Sequence, residues 1–257
     1  MKIIAFDIIG KFAHFRKYFS NSTALSYTIP PRTTIIGILA AVMGYQKDAY
    51  YQCFSKKNLQ ITIAVISPLK KTIHRVNNLR IVSRSFDDFM GHKLHTQTPI
   101  EIVTPEDLQN NNLAYRVYIL PEDIEFREEL IIRLTNKKAI YNTSLGVAQF
   151  SASIQNITIF NDNEIEELNI DGCNMEFNSA VLSSSVNNII FELAENWKYN
   201  YIEEDLIPMD FMCNYNRELK ELNRVLYTTN YFQLRVNFTG NYFQLSKNGE
   251  VLNIQFL

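Results

Sequence analysis

The 257-residue chain is 46 % hydrophobic and 20 % charged, ordinary globular usage that excludes a disordered or low-complexity protein. Its net charge of −2 conceals a division: residues 1–100 carry 14 Lys and Arg against 4 Asp and Glu, and residues 101–257 carry 11 against 23. A first part at +10 and a remainder at −12 point to a polyanion-binding face on the first and a different task for the second.

The start, MKIIAFDIIGKF, is interrupted by Asp7 and followed by no small-residue cleavage site, so no signal peptide is expected. KIIAFDII, residues 2–9, has the β-branched composition of a strand. Residues 10–32 read as a long connection in which Lys11, His14, Arg16, Lys17 and Arg32 alternate with Phe12, Phe15, Tyr18, Phe19 and Tyr27. YTIPPRTTIIGILAAVMG, residues 27–44, then predicts an apolar helix capped by Thr33 or Thr34, with the helical pattern resuming after Tyr45 toward Phe54. No apolar run reaches the ~18 residues of a membrane span, so no membrane partner is expected.

LQITIAVI, residues 59–66, alternates as a second strand. Residues 68–98 break the pattern with Lys70, Lys71, His74, Arg75, Arg80, Arg84 and Lys93, and read as a protruding hairpin inserted between sheet strands. PIEIV (99–103) and YRVYIL (115–120) return to strand character. A helix is expected over 121–138, with Pro121 in its first turn, acids near its start and Lys137 and Lys138 at its end. A loop containing Asn142, Ser144, Leu145 and Gly146 leads to a strand over 150–160.

This order predicts an α+β, ferredoxin-like βαββαβ domain over residues 1–160. A smaller, mostly β region is expected over 161–257, with strands in NNIIFELAE, VLYTTNYFQLRVNF, NYFQLS and EVLNIQF. The echo of NYFQL at 230–234 and 241–245 suits an antiparallel pair.

Cys53, Cys173 and Cys213 are odd in number and far apart, which argues against disulfides and a zinc site; buried thiols in a reducing cytoplasm are expected. His92 and His95 form the one close histidine pair, without Cys or carboxylate partners nearby, so no metal is expected. Lone-histidine acid–base chemistry, for example His14 with Lys17 and Tyr18, stays open and would support metal-free RNA cleavage. No Walker loop, GxGxxG, GxSxG or HExxH occurs, so no nucleotide cofactor is expected. Glu203 to Asp205 and Glu164 to Glu167 read as solvated turns. The stronger pattern is basic and aromatic interleaving, because single-stranded RNA is held by cations along its phosphates and planar side chains against its bases.

FAHFRKYFSNSTALSYTIPPRTTIIGILAAVMG after a first strand resembles the N-terminal signature of the CRISPR-associated Cas-five proteins, of the RAMP superfamily. YNTSLGVAQFSASI (141–154) is similar to that family's Leu-Gly loop, and EEDLIPMDF (203–211) to its late Leu-Pro segment. The resemblance implies a non-catalytic subunit of a type I surveillance complex (Cascade), most like type I-B, that binds the 5′ handle of the guide RNA in antiviral defence. Its partners would be that RNA and the backbone and large subunits, with target DNA met only through the complex. Residues 68–98 would be the thumb hairpin. The residues implied in RNA binding are Arg16, Lys17, Tyr27, Pro31, Arg32, Thr33, Thr34, His74, Arg75, Asn77, Arg80, Arg84, Ser144, Leu145 and Gly146. One branch of the family, type I-C, instead cuts repeat RNA with Tyr, Lys and His and no metal. Here the nearest approximations are Lys71 with His74, or Lys93 with His92 and His95, and no catalytic residue is expected.

Overall fold

The computed structural model describes residues 1–82, 86–92, 95–191, 202–212, 217–230 and 232–257; Arg84, Lys93 and Cys213 lie outside them. In chain order the elements begin with β1 (Ile3–Gly10), β2 (Phe15–Arg16), β3 (Ser26–Tyr27), α1 (Arg32–Met43) and β4 (Leu59–Val65). Next come β5 (Leu69–Leu79), α2 (Phe86–Phe89), β6 (His95–Pro105), β7 (Leu113–Pro121), α3 (Ile124–Thr135) and β8 (Ala152–Phe160). The second part holds β9 (Ile165–Phe177), β10 (Val181–Leu182), β11 (Val186–Ile189), β12 (Ile202–Phe211), β13 (Leu219–Thr228), β14 (Leu234–Lys247) and β15 (Glu250–Ile254).

Four strands form an antiparallel sheet in the order β4-β7-β1-β8. β1 is buried along most of its length because both of its faces are covered, which is why IIAFDII lacks the polar alternation of a half-exposed strand. Ile4, Phe6 and Ile8 face a core shared with α1 and with Leu130 and Leu134 of α3. Ile3 and Ala5 face the opposite side, against Phe243, Leu245 and Ile254 of the second part. Asp7 lies on that side, 1 % exposed; Arg116 donates to it through Nε at 2.7 Å and Nη2 at 3.0 Å, and Asn156 through Nδ2 at 2.8 Å. Its charge is tolerated because both carboxylate oxygens are hydrogen-bonded.

α1 is apolar nearly all round because β12 covers a second side of it. It ends at Gly44, whose φ of 82° is left-handed and whose would-be Cβ falls 2.4 Å from Ile140 Cδ1. Its start differs from expectation. The cap position is Pro31, no side chain caps it, and Thr33 and Thr34 sit inside the first turn. Residues 46–58 form turns rather than a continued helix, as expected of a chain already stopped by Gly44. α3 also starts later than expected: Pro121 closes β7 opposite Leu59, and Asp123 caps the helix by accepting from Glu125 N at 2.8 Å and Phe126 N at 3.2 Å. That cap is worth about 1 kcal/mol.

The inserted hairpin is longer than 68–98. β5 and β6 pair over eleven positions, from Leu69 with Pro105 to Leu79 with His95, so PIEIV belongs to its returning strand and not to the main sheet. In the second part β14 runs unbroken through residues 241–245 and kinks at Gly240, where φ is 132°. The two NYFQL copies are therefore not paired strands: residues 241–245 pair with β9 and β15. β9, unexpected from sequence, pairs antiparallel with β14 and carries Glu166, Glu167, Asp171 and Glu176. Cys53 and Cys173 are exposed, not buried, on a turn and on β9. Glu203 to Asp205 belong to β12, and Glu164 closes a short 3-10 turn after β8.

Candidate nucleic-acid interface

The connection between β1 and α1 holds its shape by borrowing the base of the hairpin. Ala13 exchanges backbone bonds with Val103 at 3.0 and 2.9 Å, and Ala24 does so with Pro99 and Glu101, both at 2.9 Å. The Glu101 carboxylate accepts from Ser26 N at 2.8 Å, and His14 Nδ1–H donates to the Glu101 carbonyl at 2.7 Å. This stitching ties down the proximal hairpin, where Leu69 and Val103 are buried, whereas the distal half from Ile73 to Leu79 is exposed.

The Leu-Gly loop packs onto the same connection. Leu145 is fully buried against Gly10, and its carbonyl accepts from His14 N at 3.1 Å. Gly146, at φ 93°, lies so close to His14 that a Cβ would fall 1.9 Å from the His14 carbonyl oxygen. No other residue fits that approach.

Between these pieces opens a cleft of about 640 Å³. Arg16, Tyr27, Pro31, Thr33, Thr34 and Gly146 line it, so six of the residues singled out in the sequence share one concavity. Arg16 is exposed, with Nη2 donating to the Ser20 carbonyl at 3.1 Å. Tyr18 and Phe19 stand at about half exposure with ring centroids 5.2 Å apart. Asn78, Thr98 and Ile100 bring the hairpin to the far wall.

Other expected contacts are spent inside the protein. Arg32 is 2 % exposed and belongs to the core: Nη1 donates to the Met209 carbonyl at 3.0 Å, Nη2 to the Phe54 and Leu59 carbonyls at 2.9 and 2.6 Å, and Asp210 lies 3.7 Å away. Burial lowers its pKa to about 10, partly opposed by Asp210 and Glu221. An arginine with three carbonyl acceptors and a buried carboxylate is a crosslink between α1, the turn before β4 and β12; it does not reach the cleft. Leu145 likewise contributes core rather than contact surface. Lys17 donates to Asp205 at 2.5 Å and sits 5.1 Å over the Tyr27 ring, and Lys71 lies 3.7 Å from Glu203. The Tyr27 hydroxyl is bound to the Leu206 carbonyl at 2.9 Å, and burial beside Asp205 raises its pKa far above the ordinary tyrosine value. Ser144 is half-buried and bridges to Ser151.

The strand period divides the hairpin residues. His74 pairs with Ile100 and shares the cleft-facing side, whereas Arg75 and Asn77 project from the other side. Arg80 is exposed just beyond the end of β5. The same rule parts Lys71 from His74, three residues on and on the opposite face. Among the described residues no group of three potential metal ligands gathers, and no helix is long and apolar enough to cross a membrane.

Sequence reasoning did not place one wall of the cleft, although EEDLIPMDF (203–211), singled out by resemblance, supplies Pro208 and Phe211 to it. Tyr50, Tyr51, Pro208, Phe211, Arg217 and Leu219 close the cleft, and most come from the acidic second part. No local pattern shows that these segments meet, since residues 177 positions apart, such as Arg32 and Met209, come together only in the folded chain.

The structure resembles a CRISPR protein from Archaeoglobus fulgidus at 13 % identity, with 98 % of each chain covered and a TM-score of 0.55. It also matches a chain of a CRISPR RNA-guided surveillance complex at 10 % identity, with 91 % of each covered and a TM-score of 0.49. No curated protein matches. A family model described as CRISPR-associated protein (Cas_Cas5) matches residues 3–116, taking in the aromatic-basic segment, α1 and the whole hairpin.

Proposed function

We propose that this chain is the guide-RNA-binding subunit of a type I CRISPR surveillance complex, non-catalytic, gripping the 5′ handle of the guide in the cytoplasm. The proposal extends to a ferredoxin-like RAMP domain, a form most like type I-B, and contacts with the complex's backbone and large subunits. One observation carries it. The exposed Arg16, the first turn of α1, the Leu-Gly loop and the hairpin converge on one cleft. That cleft combines a cation, hydroxyls and exposed rings, the set that holds phosphates and unpaired bases. The family match over residues 3–116 covers most of these parts.

The test is a gel. Full-length protein is incubated with labelled CRISPR repeat RNA in EDTA at several salt concentrations, beside a scrambled RNA of equal length. Salt-sensitive retention of intact repeat RNA, tighter than the scramble, is the expected result. A discrete cut in EDTA would instead assign a metal-independent endoribonuclease, and equal retention of both RNAs would remove handle recognition.

A further inference from the structure

The wall of the cleft where the 48–51 turn meets the second part has a built arrangement of its own. Tyr50, Tyr51 and Phe211 form a run of rings, with centroids 4.9 Å apart in the first pair and 5.2 Å in the second. Beside it Asp48 accepts two bonds, from the Tyr51 hydroxyl at 2.5 Å and from Arg217 Nε at 2.8 Å. Asp48 at φ 63° and Arg217 at φ 55° both occupy the left-handed region, which costs each of them backbone strain. The two bonds hold the Asp48 carboxyl below its ordinary range, and Asp48 in turn raises the Arg217 pKa, so the pair stays ionised. Arg217 is nevertheless 52 % exposed, and its bond to Asp48 uses one of a guanidinium's five donors. Lys17 offers the contrast: it is 14 % exposed and closed into its own ion pair.

We infer that this wall is a nucleotide subsite. The base of one unpaired nucleotide lies against Tyr50 and Phe211, and Arg217, oriented by Asp48, donates to that nucleotide's phosphate. A planar fork fixed at one edge suits a phosphate oxygen better than a mobile lysine would. The inference rests on the RNA reading above and gives the acidic second part a share in the RNA site that its net charge conceals.

The full chain and labelled repeat RNA test it, with affinity measured across salt for the wild type, Arg217→Ala, Arg217→Lys and Arg16→Ala. Arg217→Ala is expected to weaken binding by about tenfold and to reduce the salt slope by about 0.7, the value of one phosphate on a single strand. Arg217→Lys, which keeps the charge and guards against loss of fold, should restore the slope and only part of the affinity. If Arg217→Ala binds as the wild type does while Arg16→Ala binds weakly, the subsite is wrong and the RNA reading stands. Lost affinity at an unchanged slope overturns the phosphate assignment. A wild-type chain without salt-sensitive retention overturns both.

Discussion

The start of α1 and the distal half of the β5–β6 hairpin carry the same kind of residue, and the molecule uses them oppositely. Arg32 opens α1 and is sealed among three carbonyls and a carboxylate. Arg75 and Arg80 stand exposed on and just beyond β5. In the sequence all three belong to the basic first hundred residues. The difference teaches that positive charge in this first part divides between holding the fold and facing solvent, and that burial decides which.

Three variants would break or sharpen that contrast. Arg32→Ala should have the largest effect, removing about 3–5 kcal/mol of stability, because Asp210 and three carbonyls lose their partner inside the core. Urea or thermal unfolding measures it, and a variant as stable as the wild type would contradict the crosslink. Gly146→Ala should cost about 1–3 kcal/mol, since φ 93° is strained for alanine and the new Cβ must displace the loop from His14. Hydrogen exchange at His14 N, which donates to Leu145, should quicken in that variant; unchanged protection would show that the loop absorbs the methyl group. Replacing Arg75 and Arg80 together by alanine should leave stability within about 0.5 kcal/mol. On the proposed reading the same double variant binds repeat RNA more weakly with a shallower salt slope, and unaltered RNA titrations would restrict the RNA surface to the cleft side of the hairpin.

Much of the first part was legible because its signals are local. The strand composition of residues 2–9, the apolar run into Gly44 and the alternation of 59–66 each predict an element that forms near the expected bounds. The hairpin was legible as a loss of apolar pattern, though not its true length: PIEIV has strand composition in either sheet, and only pairing with Lys71, Thr72 and Ile73 assigns it. The candidate site was legible in part. Arg16, Tyr27, Pro31, Thr33, Thr34 and Gly146 line the cleft, while Arg32 and Leu145 turn inward.

The sequence by itself determined which segments are strands and helices over most of the first part, where the positive charge concentrates, and that Gly146 lies in a loop. These follow from side-chain period, backbone freedom and composition, which act over a few residues. Only the tertiary structure decided which cations are spent in ion pairs, which faces of the hairpin its residues occupy, and that Phe211 and Arg217 complete a cleft begun by Arg16 and Thr33. Those outcomes depend on long-range packing of β12 against α1 and the 50–54 turn. A contact between residues so distant in the chain leaves no mark in the local pattern of either segment.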